Sequence, residues 1–432
     1  MTELRNYGIQ LLATTCNEMP LCSNGIFACH MTSKAPSILV LLSRFPYPLE
    51  KGDKLRAFQH LQFLAEHGYA VHLVALSDVP VQYDHKKMVE PLCASVHVLP
   101  LTWFSIALGV MQSVFKRLPL QVAYFTNSEC IAKVVAIARA VQPDMIFAQL
   151  IRTAEYARAL TPIAPVVMDL QDAFSKGTQQ RIGKAGFITR WMYRRELALV
   201  RNYEQQVLRW FSSYMVISEQ DKGEFNAPPN VSIEILPNAI DTVFFSPRDT
   251  VKSADVVFVG NMQYPPNVDA AERLVHNVMP IVWQSFPNAT VVLAGATPSR
   301  AVRKLASERV TVTGWVDDIR QCYASARIFA APMFIGTGLQ NKLLEAMAMG
   351  LPCVTTPLSA TPLHATHGQS VIVCETEQQM AQAIVNLLSN ENACTSIGRA
   401  AQLHVQRAFG AAETSAKFDA CIRRVLSMPV AR

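Results

Sequence analysis

The sequence predicts an α/β protein built from two Rossmann-like domains in tandem, facing a central cleft. Three observations carry this. Short β-branched apolar runs alternate with helical patterns from one end to the other, the signature of parallel βαβ units. The two halves open alike: SILVLLSRFPYPLEKGD from Ser37 and DVVFVGNMQYPPNVD from Asp255 each give an apolar strand, a loop containing Tyr-Pro and a polar helix start. Finally, 432 residues are too many for one ordinary core of roughly 100 to 200 residues.

Taken in order, residues 1–35 are expected to form a poorly ordered N-terminal extension. They hold Cys16, Cys22 and Cys29 but lack the basic start, continuous apolar stretch and small-residue cleavage site of a signal peptide. The short polar lead from Met31 into the first strand predicts that the working protein starts there. In the first domain, 36–225, strands are predicted at 37–43, 70–76, 95–99, 144–149, 165–170 and 214–218. Residues 56–67 carry Ala57, Leu61, Phe63 and Leu64 on a helical face that Gly68 stops. The run LTWFSIALGVMQSVF at 101–115 is uncharged, but it is shorter than the roughly 18 to 20 residues a membrane span requires. It reads either as a core helix or as a surface helix that rests on a membrane, with Lys116 and Arg117 at its basic end. The longest helical stretch, 188–210, carries Arg194, Arg195, Glu196, Arg201 and Glu204 on a solvated face. Residues 226–252, with Pro228, Pro229, Pro237 and Pro247, read as a linker. The second domain, 253–410, is predicted to hold strands at 255–260, 289–295, 310–316, 328–332, 352–356 and 370–374. A terminal helix is expected over 413–426, within the final segment 411–432.

Composition narrows the function classes. Half of the chain is apolar and 17% is charged, which excludes a disordered or coiled-coil protein. The net charge of +6 is spread along the chain with no run of five like charges, too mild to imply nucleic acid. It fits an ordinary solvated surface, anionic small ligands or an anionic membrane. The ten cysteines show no CxxC pair and no His/Cys spacing of a zinc site, and read as reduced, mostly buried cytosolic thiols.

The stretch richest in chemistry is APMFIGTGLQNKLLEAMAMGLPCVT at 331–355. A strand should end at Pro332, a loop with Gly336 and Gly338 should follow, and 341–349 should be a helix stopped by Gly350. Such a loop is an anion site: glycines admit close backbone approach, and the N–H groups and dipole of a helix start favour negative charge. Lys342 in the first turn opposes the dipole unless an anion lies between them. Glu345 shares a face with Lys342 and Asn341, where a carboxylate could accept from a ribose diol. The alternative is an exposed Lys342–Glu345 pair worth about 0.3–0.5 kcal/mol.

From Ser37 to about Phe418 the sequence resembles retaining GT-B glycosyltransferases of group 1, or family 4, and within them the sugar transferases associated with bacterial exopolysaccharide systems. GLQNKLLEAMAMGLPCV at 338–354, ILPNAIDTVFFSP at 235–247 and VVFVGNMQYPPNVDA at 256–270 carry the resemblance, with VTGWVDDIRQCYASARIFAAPM from Val312 matching the run into the site. It implies the GT-B architecture, with the terminal helix crossing back onto the N-terminal domain. It also implies a nucleotide-diphosphate sugar bound by the C-terminal domain and a glycan or polyprenol-linked acceptor bound by the N-terminal one. Glu345 matches the second glutamate of the E-x7-E motif, which holds the ribose, whereas the first falls at Thr337 and is missing. The basic residues common after the domain's first strand are absent too, since Gly260 is followed by Asn261, Met262 and Gln263. Lys342 is then the main cation for the leaving diphosphate, with Gly336, Thr337, Gly338, Gln340 and Asn341 completing the donor site and Asn261 beside it.

In the N-terminal domain the resemblance makes Gly52 a close approach to phosphate and sugar, with an ordinary turn glycine as the alternative. Asp53 is expected to cap the first helix. Polar residues at strand ends make Gln149, Arg152 and Asp169 acceptor-side candidates and Asp172 a catalytic candidate beside Lys342 and Glu345. Asp317 and Asp318 read as helix capping charges rather than a metal-binding pair. No metal and no other cofactor is expected. The resemblance further implies a cytoplasmic protein lying on the inner face of the membrane. Two other readings stay open: a nucleotide-sugar epimerase or hydrolase of the same fold, which would convert donor without acceptor, and a non-catalytic sugar-nucleotide-binding partner of a polysaccharide assembly complex, which would leave donor intact.

Overall fold

Five consecutive apolar residues, SILVLL without its serine, cannot be half-solvated, and in the structure all of β1 (Ser37–Leu42) is buried on both faces. The computed structural model describes residues 35–428 apart from 184, 185, 212, 230 and 337. The extension expected at 1–35 lies, but for its last residue, outside the described residues. Around β1 the first sheet adds β2 (Ala70–Ser77), β3 (Ser95–Pro100), β4 (Met145–Gln149), β5 (Val166–Gln171), β6 (Ser213–Val216) and β7 (Ile233–Ile235). Its order is β3-β2-β1-β4-β5-β6-β7, every pair parallel. The second sheet runs β10-β9-β8-β11-β12-β13, again all parallel, from β8 (Ala254–Val259), β9 (Val291–Ala294), β10 (Val310–Gly314), β11 (Ala326–Ala331), β12 (Cys353–Thr355) and β13 (Ile372–Val373). Strand order reverses beside β1 in one sheet and beside β8 in the other. Those are the switch points where ligands of such sheets collect.

Every run read as a strand is one, and β7 is the strand the sequence reading missed. It pairs with β6 inside the stretch taken for a linker. Three residues between prolines offer no measurable alternation, so only pairing reveals it.

Among the helices that bear on function, α1 (Gly52–Glu66) turns Ala57, Phe58, Leu61 and Leu64 into the first core. The uncharged run forms α2 (Trp103–Lys116), capped by Thr102, whose hydroxyl accepts from Ser105 N. It is a surface helix: Ile106 packs against the core, while Trp103, Phe104, Leu108 and Met111 are exposed. Helices α3 (Phe174–Gly183) and α4 (Phe187–Val207) follow β5. In the second half come α5 (Pro265–Arg273), α6 (Ile319–Ala324), α7 (Asn341–Ala348) and α8 (Glu391–Phe409). The last helix, α9 (Ala411–Leu426), crosses back: Phe418 stacks on His60 of α1 at 4.6 Å and meets Phe147 of β4 edge-on at 5.3 Å. Burying that ring contributes about 2–3 kcal/mol. The two chain crossings between the halves run side by side, Ile240 N donating to Phe409 O and Ala411 N to Ile240 O. No helix among the described residues is long and apolar enough to cross a membrane.

Candidate functional site

After β11 the chain turns through Gly336 and Gly338, whose φ values of 142° and 69° suit glycine alone. Helix α7 then starts at Asn341. It buries Leu343, Leu344, Ala346 and Met347, which directs Asn341, Lys342 and Glu345 to one other side. No side chain caps it, for Gln340 at the N-cap turns its amide nitrogen to 3.4 Å from Gly338 O. An uncapped helix start presents N–H groups and the positive end of the dipole.

That helix start opens into a cavity of about 620 Å³ between the carboxyl ends of the two sheets. Of the residues singled out in the sequence, Asn261, Gly338, Gln340, Asn341, Lys342 and Glu345 line it from the second half, and Gly52 and Asp172 from the first. Gly336 shapes the turn without lining the cavity, and Thr337 lies outside the described residues.

Lys342 Nζ donates to Asn267 Oδ1 of α5 and stands 5.2 Å from the centre of the Phe258 ring. Burial pushes its amine down to about 8, against the pull of Glu345. A phosphate beside it would raise that value again. Glu345 accepts a 2.7 Å bond from the hydroxyl of Tyr323, a fully buried side chain of α6. Burial raises the Glu345 carboxyl, opposed by the Tyr323 bond and by Lys342. Asn267 and Tyr323 thus hold the two groups in place, and the sequence reading missed both. Asn267 carried a usable signal, a buried asparagine just inside a helix that opens on a strand-end loop. Tyr323 carried none, because a tyrosine at an apolar position reads as core.

The loop after β8 is pinned by Gly295. At φ 138° it comes so close that a Cβ would stand 1.9 Å from Gly260 O. This fixes Asn261, whose Oδ1 accepts from Gln263 N at 3.0 Å and from the Thr297 hydroxyl at 3.2 Å.

On the opposite wall α1 begins at Gly52 itself, and Lys51 is the N-cap. Asp53 is therefore not the cap. It lies in the first turn, accepting from Arg44 Nη1 at 2.9 Å with Arg152 Nη1 at 3.7 Å. A Cβ on Gly52 would meet nothing within 4 Å, so the residue borders open cavity. Gln171, at the end of β5, lines the cavity with φ 65°, and the next residue is Asp172. Burial and the nearby Asp221 push the Asp172 carboxyl up to about 6, with Arg152 and Lys176 pulling the other way. A carboxyl poised there can exchange a proton near neutral pH.

The three acceptor-side candidates do not line the cavity. Asp169 is fully buried, and Arg56 of α1 grips it with two bonds of 2.8 and 3.1 Å. Gln149 donates to Asp53 O at 3.2 Å and so braces α1. Arg152 donates to Gln121 Oε1 at 3.0 Å between the rings of Phe125 and Phe174, and burial beside Arg44 lowers it to about 10. All three stand near the carboxyl end of a strand, and their side chains are engaged within the first half. Asp318 caps α6, accepting from Arg320 N at 3.1 Å, and pairs with the Arg320 and Arg248 side chains.

Known proteins match this arrangement. Residues 253–390, which contain the whole donor-side wall, match the family model described as "Glycosyl transferases group 1". A Klebsiella pneumoniae protein named for the cps region is 20% identical over 381 residues, covering 82% of this chain and 91% of its own. Sucrose-phosphate synthase from Thermosynechococcus elongatus superposes with a TM-score of 0.66 at 14% identity, over 91% of this chain and 100% of that one. Anabaena HepE, solved with UDP and glucose, gives 0.64 at 16% identity, over 89% and 99%. Two parallel sheets of like order and a helix returning from the end of the chain give this protein the GT-B fold, and its residues 253–390 match the model of the group 1 glycosyltransferases.

Proposed function

We propose that the cleft transfers a hexose from a nucleotide-diphosphate sugar to a glycan or polyprenol-linked glycan acceptor, with retention, in the synthesis of bacterial exopolysaccharide or another cell-surface glycan. One observation carries this reading: the start of α7, with Lys342 and Glu345, faces Gly52 and Asp172 of the other half across a single cavity. In this reading Glu345 accepts from the ribose hydroxyls, and Lys342 with the amides at the start of α7 holds the diphosphate. Gly52 leaves room for phosphate and sugar. The acceptor hydroxyl attacks the anomeric carbon on the face from which the diphosphate departs, the bond from that carbon to the phosphate oxygen breaks, and the hydroxyl proton passes to that oxygen. The protein's share is positioning and stabilisation of the leaving charge. Lys342 supplies the cation in this scheme, with no metal and no other cofactor.

HepE was solved with UDP-glucose and TarM with UDP, which favours uridine nucleotides as the first to try. The test is calorimetric titration of UDP, GDP, UDP-glucose, UDP-N-acetylglucosamine and GDP-mannose into wild type and Glu345→Ala. Binding of one base series, weakened about tenfold or more by the substitution, is expected; no binding by any of them sinks the donor site.

The exposed Trp103, Phe104, Leu108 and Met111 of α2, next to Arg117, favour a peripheral contact with an anionic membrane from the cytoplasmic side. Wild type should sediment with anionic vesicles at low salt, and a Trp103→Ser, Phe104→Ser variant should not. Equal behaviour of the two removes α2 from any such contact.

A further inference from the structure

A file of polar contacts crosses from one half to the other and reaches the cleft at Asn238 and Asn341. It begins with the Arg56–Asp169 pair on α1 and β5, both side chains withdrawn from water. Arg56 also donates Nη1 to Asn238 Oδ1 at 3.1 Å, in the segment that crosses between the halves. Asn238 Nδ2 in turn donates to Asn341 Oδ1 at 3.0 Å, at the first residue of α7. One turn along α1, Gln59 Nε2 donates to Ala239 O at 3.0 Å, so α1 grips the crossing segment twice.

The chemistry of these groups gives the file a direction. A guanidinium is donor-only and does not lose its charge. Its partner on Asn238 must therefore be the amide oxygen, which leaves the Asn238 nitrogen to face Asn341. The Asn341 oxygen must then turn toward Asn238, and its own nitrogen is left on the side of the cavity that Asn341 lines. We infer that Arg56, acting through Asn238, orients the Asn341 amide so that it offers an N–H donor to the diphosphate beside Lys342, and ties that orientation to the registry of the two halves. The inference rests on the donor reading above. It makes Arg56 a positioning residue, because Arg56 does not line the cavity, whereas Asn238 borders the cavity and passes the orientation on through its engaged amide.

A buried ion pair can be exchanged for apolar residues without loss of the fold, and interacting sites reveal themselves by non-additivity. The experiment compares Asn238→Ala, the charge-neutral pair Arg56→Met with Asp169→Leu, and the triple variant, titrated with UDP or with GDP if that is the nucleotide the wild type takes. Asn238→Ala and the paired variant should each weaken binding about tenfold with Tm nearly unchanged, and the triple variant should be no weaker than the pair. Losses that multiply to about a hundredfold, or unchanged affinity in Asn238→Ala, overturn the relay. A wild type that binds no nucleotide diphosphate overturns the donor reading instead. The relay is then decided by amide hydrogen exchange at Leu343 and Leu344, the first closed bonds of α7: roughly tenfold faster exchange in Asn238→Ala upholds it, and unchanged exchange refutes it. Because Asn238→Ala leaves the Arg56–Asp169 pair whole, that arm stands even if the paired variant does not fold.

Discussion

The two halves of the molecule share one strand order, β3-β2-β1-β4-β5-β6 in the first and β10-β9-β8-β11-β12-β13 in the second, yet their edges toward the cleft are made differently. The second half meets the cavity with an uncapped helix start and two ionisable side chains on one face of it, each held by a single neutral partner, Asn267 or Tyr323. The first half meets it with Gly52 among Glu50, Lys51, Asp53 and Asp172, charges of both signs, and keeps the Arg56–Asp169 pair behind the wall. A shared strand order thus carries two kinds of surface: one wall sets a lysine and a glutamate beside a helix start, and the other sets charges of both signs around an open glycine.

The largest effect is expected where the comparison is sharpest. Lys342→Ala removes the only lysine that lines the donor-side wall of the cavity among the described residues and should lower kcat 10²-fold or more, since leaving-charge stabilisation of this kind is worth about 2.7–4 kcal/mol. An unchanged rate takes Lys342 out of the mechanism. Its pH behaviour sharpens the same point. The amine titrates near 8 in the empty cleft, so it is charged below that pH and neutral above it. Nucleotide affinity should therefore weaken as pH rises from 7 to 9 in wild type and stay flat in Lys342→Ala.

A smaller effect is expected from Asp172→Asn on the opposite wall, with kcat falling about tenfold. Stability should move the other way. The folded carboxyl titrates near 6, above its ordinary value of 3.8, so the stability linked to its proton is fully present below 3.8 and is lost as pH rises through 6. The asparagine variant should accordingly melt roughly 2–4 °C higher than wild type at pH 7.5, with the gap closing toward pH 4. A lower Tm at pH 7.5 would show that the carboxylate has a partner that holds it, and the contrast between the two walls would lose its best example.

Much of this was legible without coordinates because it is local. Periodicity marked twelve strands, since residues buried on both faces of a parallel sheet must be apolar along their whole length. The spacing of Asn341, Lys342 and Glu345 put them on one helix face, and Gly336 and Gly338 announced a turn that takes positive φ. The errors share one cause. Asp53 was read as a cap from its place before an apolar run, but a helix start is decided by where the backbone turns, and that was one residue earlier than Gly52. Gln149, Arg152 and Asp169 were placed at the right edge of the right sheet and still missed the cavity, because strand position does not say which way a side chain leaves its end.

The sequence by itself determined the two-sheet architecture, the glycine turn before α7 and the helix face shared by Lys342 and Glu345, because hydrophobic period and helix spacing act over a few residues. Only the tertiary structure decided what those residues touch. Arg56 finds Asp169 across 113 positions of chain, and Asn238 finds Asn341 across 103. The first contact follows from how α1 packs on its own sheet and the second from how the chain crosses between the halves, and no local pattern of residues encodes either.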